Sequence, residues 1–490
     1  MYLTKKNSVL VPKQRLFAPM LGTFGGGSIR GFQPLGGGLK YYIREFGSDD
    51  TTHTHRGMAV DSNDNIIITG EGTPYSGGPA GEYGYIIQFA KDGTENWYRD
   101  ISFSAGEYIK LRDVAVDSSD NIFFVGNANV GSGNNDNVIG KLTSNGTASS
   151  IKKYGSTSFT DEFTLAVALD ANDNVYTVSN LDIPYNQTLR AKMGNNIGTF
   201  SYNNRMNLSG YASRANDIAI NNQYNRVITI GYDESYMSGS KFSSYTLITD
   251  LNSNTTNQFV LRYGDSSRHT YGWVVASDNG TSNANSIYLG GQTDIGTTAG
   301  AAAWIAKLNF NSSGDISSSY PDWSRMIDGS PGTDRLDDIV VSSDNSSIYG
   351  VFATNTGTLG SNQRTGIIKY DDSGTLQWVR IFSTAASSND ASVALNSEGD
   401  LVIASSYTNS SANNKKQGFY MVYPSDGSIT GTFGNYHIQD GSSYYSISAT
   451  LPTKNNHSIS WQGAGYSLQN LNSSYNTSSR LTNEVTEPIA

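Results

Sequence analysis

The feature that most constrains the fold of this 490-residue chain is an internal repeat. Each copy contains an apolar-Ala-apolar-Asp segment, a turn, and then a strand of β-branched or aromatic residues. Tight copies begin at Met58, Val114, Val167 and Ile218, and weaker copies lie around Ser277, Ser342, Asn396 and Thr450. Repeats of this length indicate a solenoid, a propeller or an array, so the repeat decides the fold class before any other feature.

Two further strands complete each copy. In the first copy, residues 85–89 form an apolar strand with one polar interruption, residues 91–93 form a turn, and residues 96–99 form an aromatic and basic strand. Four short antiparallel strands make one propeller blade. The sequence therefore predicts an all-β fold, a single β-propeller of about eight four-stranded blades, with seven blades also open.

The two ends of the repeat region are complementary. Residues 39–47 look like a fourth strand without its first three, and the last copy, from Ser446 to about Leu471, has three strands and no clear fourth. Pairing the N-terminal strand with the C-terminal blade closes the ring and removes exposed sheet edges. The residues predicted to close it are Tyr41, Tyr42, Ile43 and Phe46.

Composition excludes several classes of function. A net charge of −10 disfavours general binding to nucleic acid or to an anionic membrane. The absence of cysteine excludes disulfides and thiolate metal sites. The sequence has no apolar run of the ~20 residues that span a bilayer and no recognisable signal peptide, so we expect no membrane insertion.

The phrase at residues 114–126, apolar-Ala-Val-Asp followed by Asp-Asn-Ile and a strand ending in Gly, resembles the bacterial β-propeller repeats related to NHL repeats. The resemblance covers most of the chain. It implies that strands like that of Ala59 line a central channel and that strands like that of Trp97 form the rim. It implies no reaction, because propellers include enzymes, adhesins and scaffolds.

Residues 1–38 lie outside the repeat and combine apolar anchors with flexible glycines. The predicted anchoring residues are the apolar Phe17, Met20, Leu21, Phe24, Ile29 and Phe32, together with Arg30. We expect either a disordered linker or an arm that docks on another subunit. The segment resembles the N-termini of structural proteins from marine bacteriophages. The predicted organisation is an anchoring arm at 1–38, a propeller at 39–475 and a polar tail at 476–490.

Two groups of residues raise the question of a metal site. The Asp-x-x-Asp-Asn sequence from Asp61 to Asn65 either binds calcium or satisfies the backbone of a hairpin turn, and the absence of an EF-hand glycine and glutamate favours the turn. His53 and His55 either bind a metal or lie on an exposed loop. We predict no metal and no cofactor.

The turn before Trp97 is similar to the docking motif of quinoprotein dehydrogenases, but the vicinal cysteines common in that family cannot occur here. Packing of large aromatic residues at the rim is the alternative. The sequence contains no Ser-His-Asp set, P-loop or sialidase box. We therefore predict that the protein is not an enzyme and has no catalytic residues.

Tyrosines among Asn, Ser and Gly mark candidate ligand-contact loops. Tyr gives broad amphipathic contact, and the small polar residues give adaptable hydrogen bonds. The candidates are Tyr75, Tyr202, Tyr232 and Tyr236. The pattern fits recognition of a glycan or a protein surface, and it is equally typical of any β-rich set of loops.

These features give two hypotheses. The first is a bacteriophage virion structural protein, associated with the tail, that uses a rigid propeller for assembly or host-surface recognition. Its partners would be other virion proteins, further copies in a homo-oligomeric ring, and a host glycan or protein. The alternative is a free-standing carbohydrate-binding or hydrolytic propeller.

Overall fold

The computed structural model shows a protein built from β-strands, and Leu39–Ala490 forms one compact unit. None of the described residues belongs to a helix that could cross a membrane. The described residues are 40–47, 51–73, 81–102, 107–129, 134–155, 161–182, 187–207, 212–237, 241–252, 257–264, 268–278, 285–294, 300–318, 321–329, 332–355, 362–384, 388–409, 415–448, 460–463, 469–470, 474–476 and 486–488.

The longer described strands pair into seven antiparallel units of four strands. Unit 1 contains β2 (His53–Val60), β3 (Ile66–Gly72), β4 (Tyr83–Phe89) and β5 (Glu95–Ser102), and unit 2 contains β6 (Tyr108–Val116), β7 (Ile122–Asn129), β8 (Asn135–Leu142) and β9 (Ala148–Tyr154). Unit 3 contains β10 (Asp161–Leu169), β11 (Val175–Asp182), β12 (Gln187–Met193) and β13 (Phe200–Asn207), and unit 4 contains β14 (Ser213–Asn221), β15 (Arg226–Met237), β16 (Lys241–Asp250) and β17 (Asn257–Tyr263). Unit 5 contains β18 (Thr270–Ser277), β19 (Ser286–Thr293), β20 (Gly300–Asn309) and β21 (Trp323–Asp328), and unit 6 contains β22 (Gly332–Val341), β23 (Ser347–Thr354), β24 (Arg364–Asp371) and β25 (Leu376–Ser383). Unit 7 contains β26 (Ser388–Leu395), β27 (Leu401–Asn409), β28 (Lys415–Tyr423) and, from the other end of the chain, β1 (Tyr42–Phe46).

The first strand of each unit, which we call its inner strand, carries a copy of the repeat. The tight copies beginning at Met58 and Val114, for example, lie in β2 and β6. Apolar clusters join each sheet to its neighbour, as where Ile86 of unit 1 and Phe124 of unit 2 share one buried cluster. The units are therefore thin layers that bury their faces against one another.

The eighth predicted copy does not form a unit of its own. Thr450 lies outside the described residues, and the short strands on either side of it pair with different units instead of with each other. The prediction of a three-stranded last copy from Ser446 to about Leu471 is wrong. Isolated apolar patterns in this polar segment resemble a repeat, but each of its strands adds to an existing sheet edge.

This C-terminal segment adds a fifth strand to the outer side of six units, and we call it the belt. Its strands are β29 (Gly431–Phe433), β30 (Tyr436–Asp440), β31 (Ser446–Ser448), β32 (Ser460–Gly463), β33 (Gln469–Asn470), β34 (Ser474–Asn476) and β35 (Thr486–Pro488). In chain order, β30 pairs with unit 6, β31 with unit 5, β32 with unit 3, β33 with unit 2, β34 with unit 1 and β35 with β1 of unit 7. The belt thus visits the units in the reverse of their chain order and covers edges that would otherwise be unpaired.

The Asp-x-x-Asp-Asn turns explain how adjacent units are joined. Asp61 closes its own turn, because its Oδ1 accepts the backbone N–H groups of Asn63 and Asn65 at 2.9 and 2.8 Å. The second aspartate works between units, since Asp120 of unit 2 accepts the backbone N–H and hydroxyl of Ser62 at 2.9 and 2.7 Å. This is the turn chemistry that the sequence favoured over a calcium loop.

The same connection recurs around the protein. Ser118 of unit 2 donates to Asp173 of unit 3 at 3.0 and 2.6 Å. Ser397 of unit 7 donates to Asp64 of unit 1 at 2.7 Å through both its backbone N–H and its hydroxyl. We call these contacts the Ser–Asp clasps. The accepting aspartates have a positive φ, 62° at Asp64, which Asp tolerates better than most residues.

Tryptophans on the fourth strands provide a second connection. The Trp97 indole N–H donates to the carbonyl oxygen of Ser144 in unit 2 at 3.1 Å, and Arg99 Nε donates to that of Gly146 at 3.0 Å. Trp323 and Arg325 of unit 5 make the equivalent contacts with unit 6. The turn-and-Trp motif therefore packs one unit against the next, as the rim-packing interpretation proposed.

We predict that removing the belt will make the protein self-associate. A chain ending at Tyr445 lacks β31–β35 and exposes the outer edges of five units, whose unpaired backbone groups can bind the same edges of another copy. Light scattering over a range of concentrations measures the mass. A chain ending at residue 476 is the graded control because it loses only β35, and a chain ending at Tyr445 that associates no more than this control would contradict the prediction.

We predict that Gly146→Ala will destabilise the protein more than Gly399→Ala. Both glycines have a similar positive φ, 75° and 79°, so the backbone cost of about 1 kcal/mol is shared. A Cβ at Gly146 would lie 2.7 Å from the Trp97 ring, whereas one at Gly399 would meet no atom within 4 Å. Overpacking should cost about 1–3 kcal/mol more in denaturant unfolding, and equal losses would show that this contact contributes little.

Candidate functional site

Each of the seven inner strands has a β-bulge near its middle, where it pairs with the second strand of its unit. A bulge inserts an unpaired residue and re-aims its side chain, and bulges are common beside active sites. The inserted residues are Arg56, Arg112, Leu165, Asn216, Trp273, Asp337 and, in the longer bulge of β26, Asp390 with Ala391. Chemically different side chains thus occupy one structurally equivalent position.

Five charged side chains at and around these bulges form a connected network, which we call the ionic cluster. Its members are Arg56, Glu71, Arg335, Asp337 and Asp390. Arg56 pairs with Glu71 at 2.5 Å and with Asp390 at 2.7 Å. Arg335 pairs with Asp390 and with Asp337, at 2.6 Å in each case. Asp390 joins the two arginines, so units 1, 6 and 7 meet in this cluster.

The two aspartates of the cluster have opposite electrostatic environments. Burial raises the pKa of Asp337 to about 6, with Asp390 acting in the same direction and Arg335 opposing. Burial also raises the pKa of Asp390, but Arg56 and Arg335 lower it further, so the net pKa is below its usual value. The Asp390 side chain is 34% exposed and that of Asp337 only 5%. Asp390 is therefore the carboxylate that a ligand can reach.

The backbone at Asp390 is also unusual. Its φ is 48°, in the left-handed region that non-glycine residues rarely adopt. Strained backbone persists only where surrounding contacts hold it, and it is concentrated at functional sites. The ion pairs with Arg56 and Arg335 are the contacts that hold Asp390 in this conformation.

An aromatic row lies on the neighbouring units. His269, Tyr271 and Trp273 follow one another along the start of β18, with ring centroids 5.9 and 6.0 Å apart and nearly parallel planes. Tyr232 and Phe242 of unit 4 pack against Tyr271 at 5.1 and 5.2 Å. All five are half-buried, so part of each ring remains open to solvent.

The aromatic row ends at the ionic cluster. The guanidinium carbon of Arg335 lies 5.6 Å from the centroid of the Trp273 ring, within the range of a cation–π contact. The row and the cluster therefore form one continuous surface across units 4, 5, 6, 7 and 1. Such a surface offers flat apolar contact at one end and charged hydrogen-bonding groups at the other.

Arg112 differs from the other cations in this region. Lys110, on the same strand, pairs with Glu82 at 2.7 Å. Arg112 forms no ion pair or hydrogen bond with any described residue, and its buried Nε has no partner among them. Burial lowers the pKa of Arg112, and repulsion from Arg56 lowers it further.

Three further carboxylates follow the bulges of alternate units. Asp113 accepts the backbone N–H of Val114 in its own strand at 2.8 Å and that of Val167 in unit 3 at 2.9 Å. Asp217 and Asp338 make the equivalent bonds from unit 4 to unit 5 and from unit 6 to unit 7. Burial raises the pKa of Asp113 and of Asp217 to about 7, and that of Asp338 well above its usual value.

The predicted ligand-contact tyrosines are dispersed. Tyr232 belongs to the aromatic row. Tyr202 is buried in β13, 9% exposed, with Arg190 over its ring, so it lies in the packing between units 3 and 4 instead of on a loop. Tyr236 lies within β15, and Tyr75 falls outside the described residues.

The two histidines considered as metal ligands, His53 and His55, are buried in β2, so the expectation of an exposed loop is wrong. His53 lies among tyrosine rings, with Nδ1 3.1 Å from the Thr51 hydroxyl, and burial lowers its pKa to about 4. His55 Nε2 lies 2.9 Å from the Ser392 hydroxyl, and burial lowers its pKa to about 3. No cluster of three or more His, Asp or Glu side chains suited to a metal occurs in the described part of the chain.

The structure describes the residues that were predicted to pair the N-terminal strand with the C-terminal part of the repeat region, but not those of the anchoring arm. Tyr42, Ile43 and Phe46 are fully buried in β1 and pair with Val422, Met421 and Gly418 of β28. Tyr41 precedes this strand, and its hydroxyl donates to Asp400 at 3.2 Å. The anchoring arm, with all its apolar residues from Phe17 to Phe32, lies outside the described residues.

Sequence reasoning missed the residues of the bulges. A usable signal was present, because the bulge residue lies three positions before the repeat's Ala, as Arg56 does before Ala59 and Arg112 before Ala115. Within an otherwise regular repeat, the residue at that position differs between copies and includes Arg, Leu, Asn, Trp and Asp. Variation at one fixed position of a repeat indicates a surface that is not under the packing constraints of the rest.

The fold is similar to those of known β-propeller proteins. The crystal structure of the polysaccharide lyase Uly1 matches with a TM-score of 0.50 and 9% identity, over 79% of this chain and 99% of that one. The C-terminal WD40 domain of Sif2 matches with a TM-score of 0.42 and 9% identity, over 77% and 98%. A GH93 α-L-arabinofuranosidase of Fusarium graminearum matches with a TM-score of 0.40 and 10% identity, over 76% and 93%. No protein-family model and no curated protein sequence matches the chain.

These comparisons correct the prediction that the protein is not an enzyme. The structure that matches with a TM-score of 0.50 is that of a polysaccharide lyase, so a similar fold occurs in an enzyme. The prediction was wrong because it relied on the absence of local catalytic motifs, whereas in this fold the candidate groups come from separate units. A virion role receives no support from the comparisons.

We predict that Asp113 makes stability depend on pH. Because its pKa is raised from 3.8 to about 7 in the folded protein, the folded state holds an extra proton between these values, and stability falls as pH rises through that window. The stability advantage of the wild type over Asp113→Asn should shrink by on the order of 2 kcal/mol between pH 5 and pH 8.

Urea unfolding at the two pH values measures this difference. Asp344→Asn is the control, since Asp344 is exposed and hydrogen bonds from Ser342 and Ser346 lower its pKa to about 2, outside the window. A wild-type advantage that stays constant or grows with pH at Asp113 would contradict the prediction.

Proposed function

We propose that this protein is a carbohydrate-active β-propeller of seven blades that binds a polysaccharide chain along the aromatic row and presents it to the ionic cluster. The observation that carries the proposal is the continuity of the two surfaces at the contact between Trp273 and Arg335. Stacking surfaces beside charged hydrogen-bonding groups match the two kinds of surface that a sugar presents.

The seven units are inferred to close into a ring. Each inner strand contacts that of the next unit, and β26 of unit 7 contacts β2 of unit 1. The ion pair between Arg56 and Asp390 and the clasp between Ser397 and Asp64 also join unit 7 to unit 1. Closure supports the site, because it brings the inner-strand bulges together around one central opening.

The aromatic row suits a sugar chain in particular. Pyranose rings have an apolar face of C–H groups and a polar edge of hydroxyls, so they stack on rings such as Tyr271 and Trp273 while their hydroxyls bind nearby charged groups. Tyr and Trp provide this contact at low conformational cost. Three residues spaced along the start of one strand offer positions for successive sugars of an extended chain.

The ionic cluster contains the groups that carbohydrate chemistry requires. Two carboxylates whose environments push their pKa values apart are typical of an acid–base pair. Asp390, ionised and accessible, is the candidate base or nucleophile, and Asp337 holds a proton near pH 6 behind Arg335. Similarity to the fold of a polysaccharide lyase supports a reaction on a polysaccharide. The arm's role and the homo-oligomeric ring remain untested predictions.

We predict that Trp273→Ala and Tyr271→Ala will each weaken binding to a responsive polysaccharide about tenfold or more, because each removes a stacking surface. Binding to a panel of polysaccharides is measured by affinity electrophoresis and then by calorimetry. Tyr444→Ala, at a half-buried tyrosine on the turn after β30, is the control and should bind as the wild type does. The proposal fails if no polysaccharide binds, or if the aromatic variants bind normally.

The same panel separates binding from catalysis. Release of reducing ends and formation of unsaturated uronate products report hydrolysis and lyase chemistry. If the wild type cleaves a polysaccharide, Asp390→Asn should abolish cleavage and retain binding, because it removes the reactive carboxylate from the accessible position. Binding without cleavage by the wild type would identify a carbohydrate-binding protein.

A further inference from the structure

We propose that Arg112 forms an anion subsite beside the ionic cluster, which takes the carboxylate or sulfate ester of an acidic polysaccharide. This inference rests on the proposed function and adds the substrate class to it. It starts from the arginine at a bulge position that forms no ion pair or hydrogen bond with a described residue.

The partners of the neighbouring cations show how unusual Arg112 is. Arg56 is held by Glu71 and Asp390, and Lys110 by Glu82. Arg112 lies on the adjacent inner strand, close enough to Arg56 for repulsion to affect its pKa, and it is half-buried. Each acidic group near it is already paired to another cation.

The desolvation cost of the half-buried Arg112 guanidinium is offset only by attraction to Glu71, Asp390 and Glu82, without a direct hydrogen bond to any of them. An incoming anion removes this cost, because the planar guanidinium matches the two oxygens of a carboxylate or a sulfate and forms two charge-assisted hydrogen bonds. The local geometry therefore favours an anionic group over a neutral hydroxyl at this position.

The remaining charge distribution makes the subsite selective. The chain has a net charge of −10, so polyanions in general are repelled at long range and recognition must come from a local contact. The ionic cluster is nearly neutral, with Arg56 and Arg335 facing Glu71, Asp337 and Asp390. Arg112 is the group that is free to neutralise a charge on the ligand.

The first experiment compares neutral and acidic oligosaccharides of matched backbone on an array. The variants are Arg112→Gln, which removes the charge, Arg112→Lys, which keeps the charge without the fork, and Lys91→Gln, which removes one exposed charge from a turn in unit 1. We expect the wild type and Lys91→Gln to prefer acidic members at least about tenfold. Arg112→Gln should lose the preference and keep its binding to neutral members, and Arg112→Lys should be intermediate.

The second experiment uses inorganic sulfate as the probe, at constant ionic strength against chloride. Sulfate should raise the unfolding temperature of the wild type and of Lys91→Gln by more than that of Arg112→Gln. The unfolding transition of each variant without sulfate also shows whether it folds, and Arg112→Lys serves in place of Arg112→Gln if the latter does not.

The outcomes separate the two proposals. Neutral and acidic oligosaccharides binding equally, or an acidic preference that survives Arg112→Gln, would overturn the anion subsite and leave the carbohydrate function intact. Sulfate stabilisation through Arg112 with no oligosaccharide bound would keep the subsite and overturn the carbohydrate function. If neither sulfate nor any oligosaccharide depends on Arg112, the subsite is wrong.

Discussion

The interaction on which the fold depends is the hydrogen bond that crosses from one unit to the next. Each unit is a thin sheet that cannot bury its faces alone, so its stability comes from its neighbours. The Ser–Asp clasp, as between Ser62 and Asp120, fixes adjacent units at the turn after the inner strand. Between units 2 and 3, the clasp from Ser118 to Asp173 is accompanied by a second bond, which the backbone N–H of Val167 donates to the carboxylate of Asp113. Such bonds add directional contacts to the apolar packing between neighbouring sheets.

The sequence predicted the parts of the fold that depend on local repetition. The apolar-Ala-apolar-Asp segment defines an inner strand and its turn within about ten residues. The fourth-strand pattern of residues 39–47 predicted pairing with a distant strand, but the partner is β28 of unit 7 and not a strand of the predicted last copy. The belt could not be predicted in the same way. Its strands, such as β33 with two residues, are held by the free edges of other sheets, so their own sequence contains no periodic signal.

The candidate site escaped prediction for a related reason. Its side chains come from bulges, where one inserted residue leaves the alternation on which strand patterns are read. Arg56 and Asp390 are 334 residues apart in the chain, and nothing in the sequence near either residue identifies the other. Of the two chosen tyrosines whose side chains the structure describes, Tyr232 belongs to the site and Tyr202 does not, because composition identifies residue types and the fold decides which of them meet.

The bulges also explain how one fold can combine stability with a variable site. The residues that make the inter-unit bonds, Asp113 and Asp120 among them, lie next to the bulge or in the turn after the same strand. The bulge residue makes no ladder bond in its own sheet. The residue type at this position can therefore differ between units, as between Arg56 of unit 1 and Trp273 of unit 5, while the register of the strand stays the same. Chemistry at the bulges can vary unit by unit because the contacts that hold the units together lie elsewhere on the same strands.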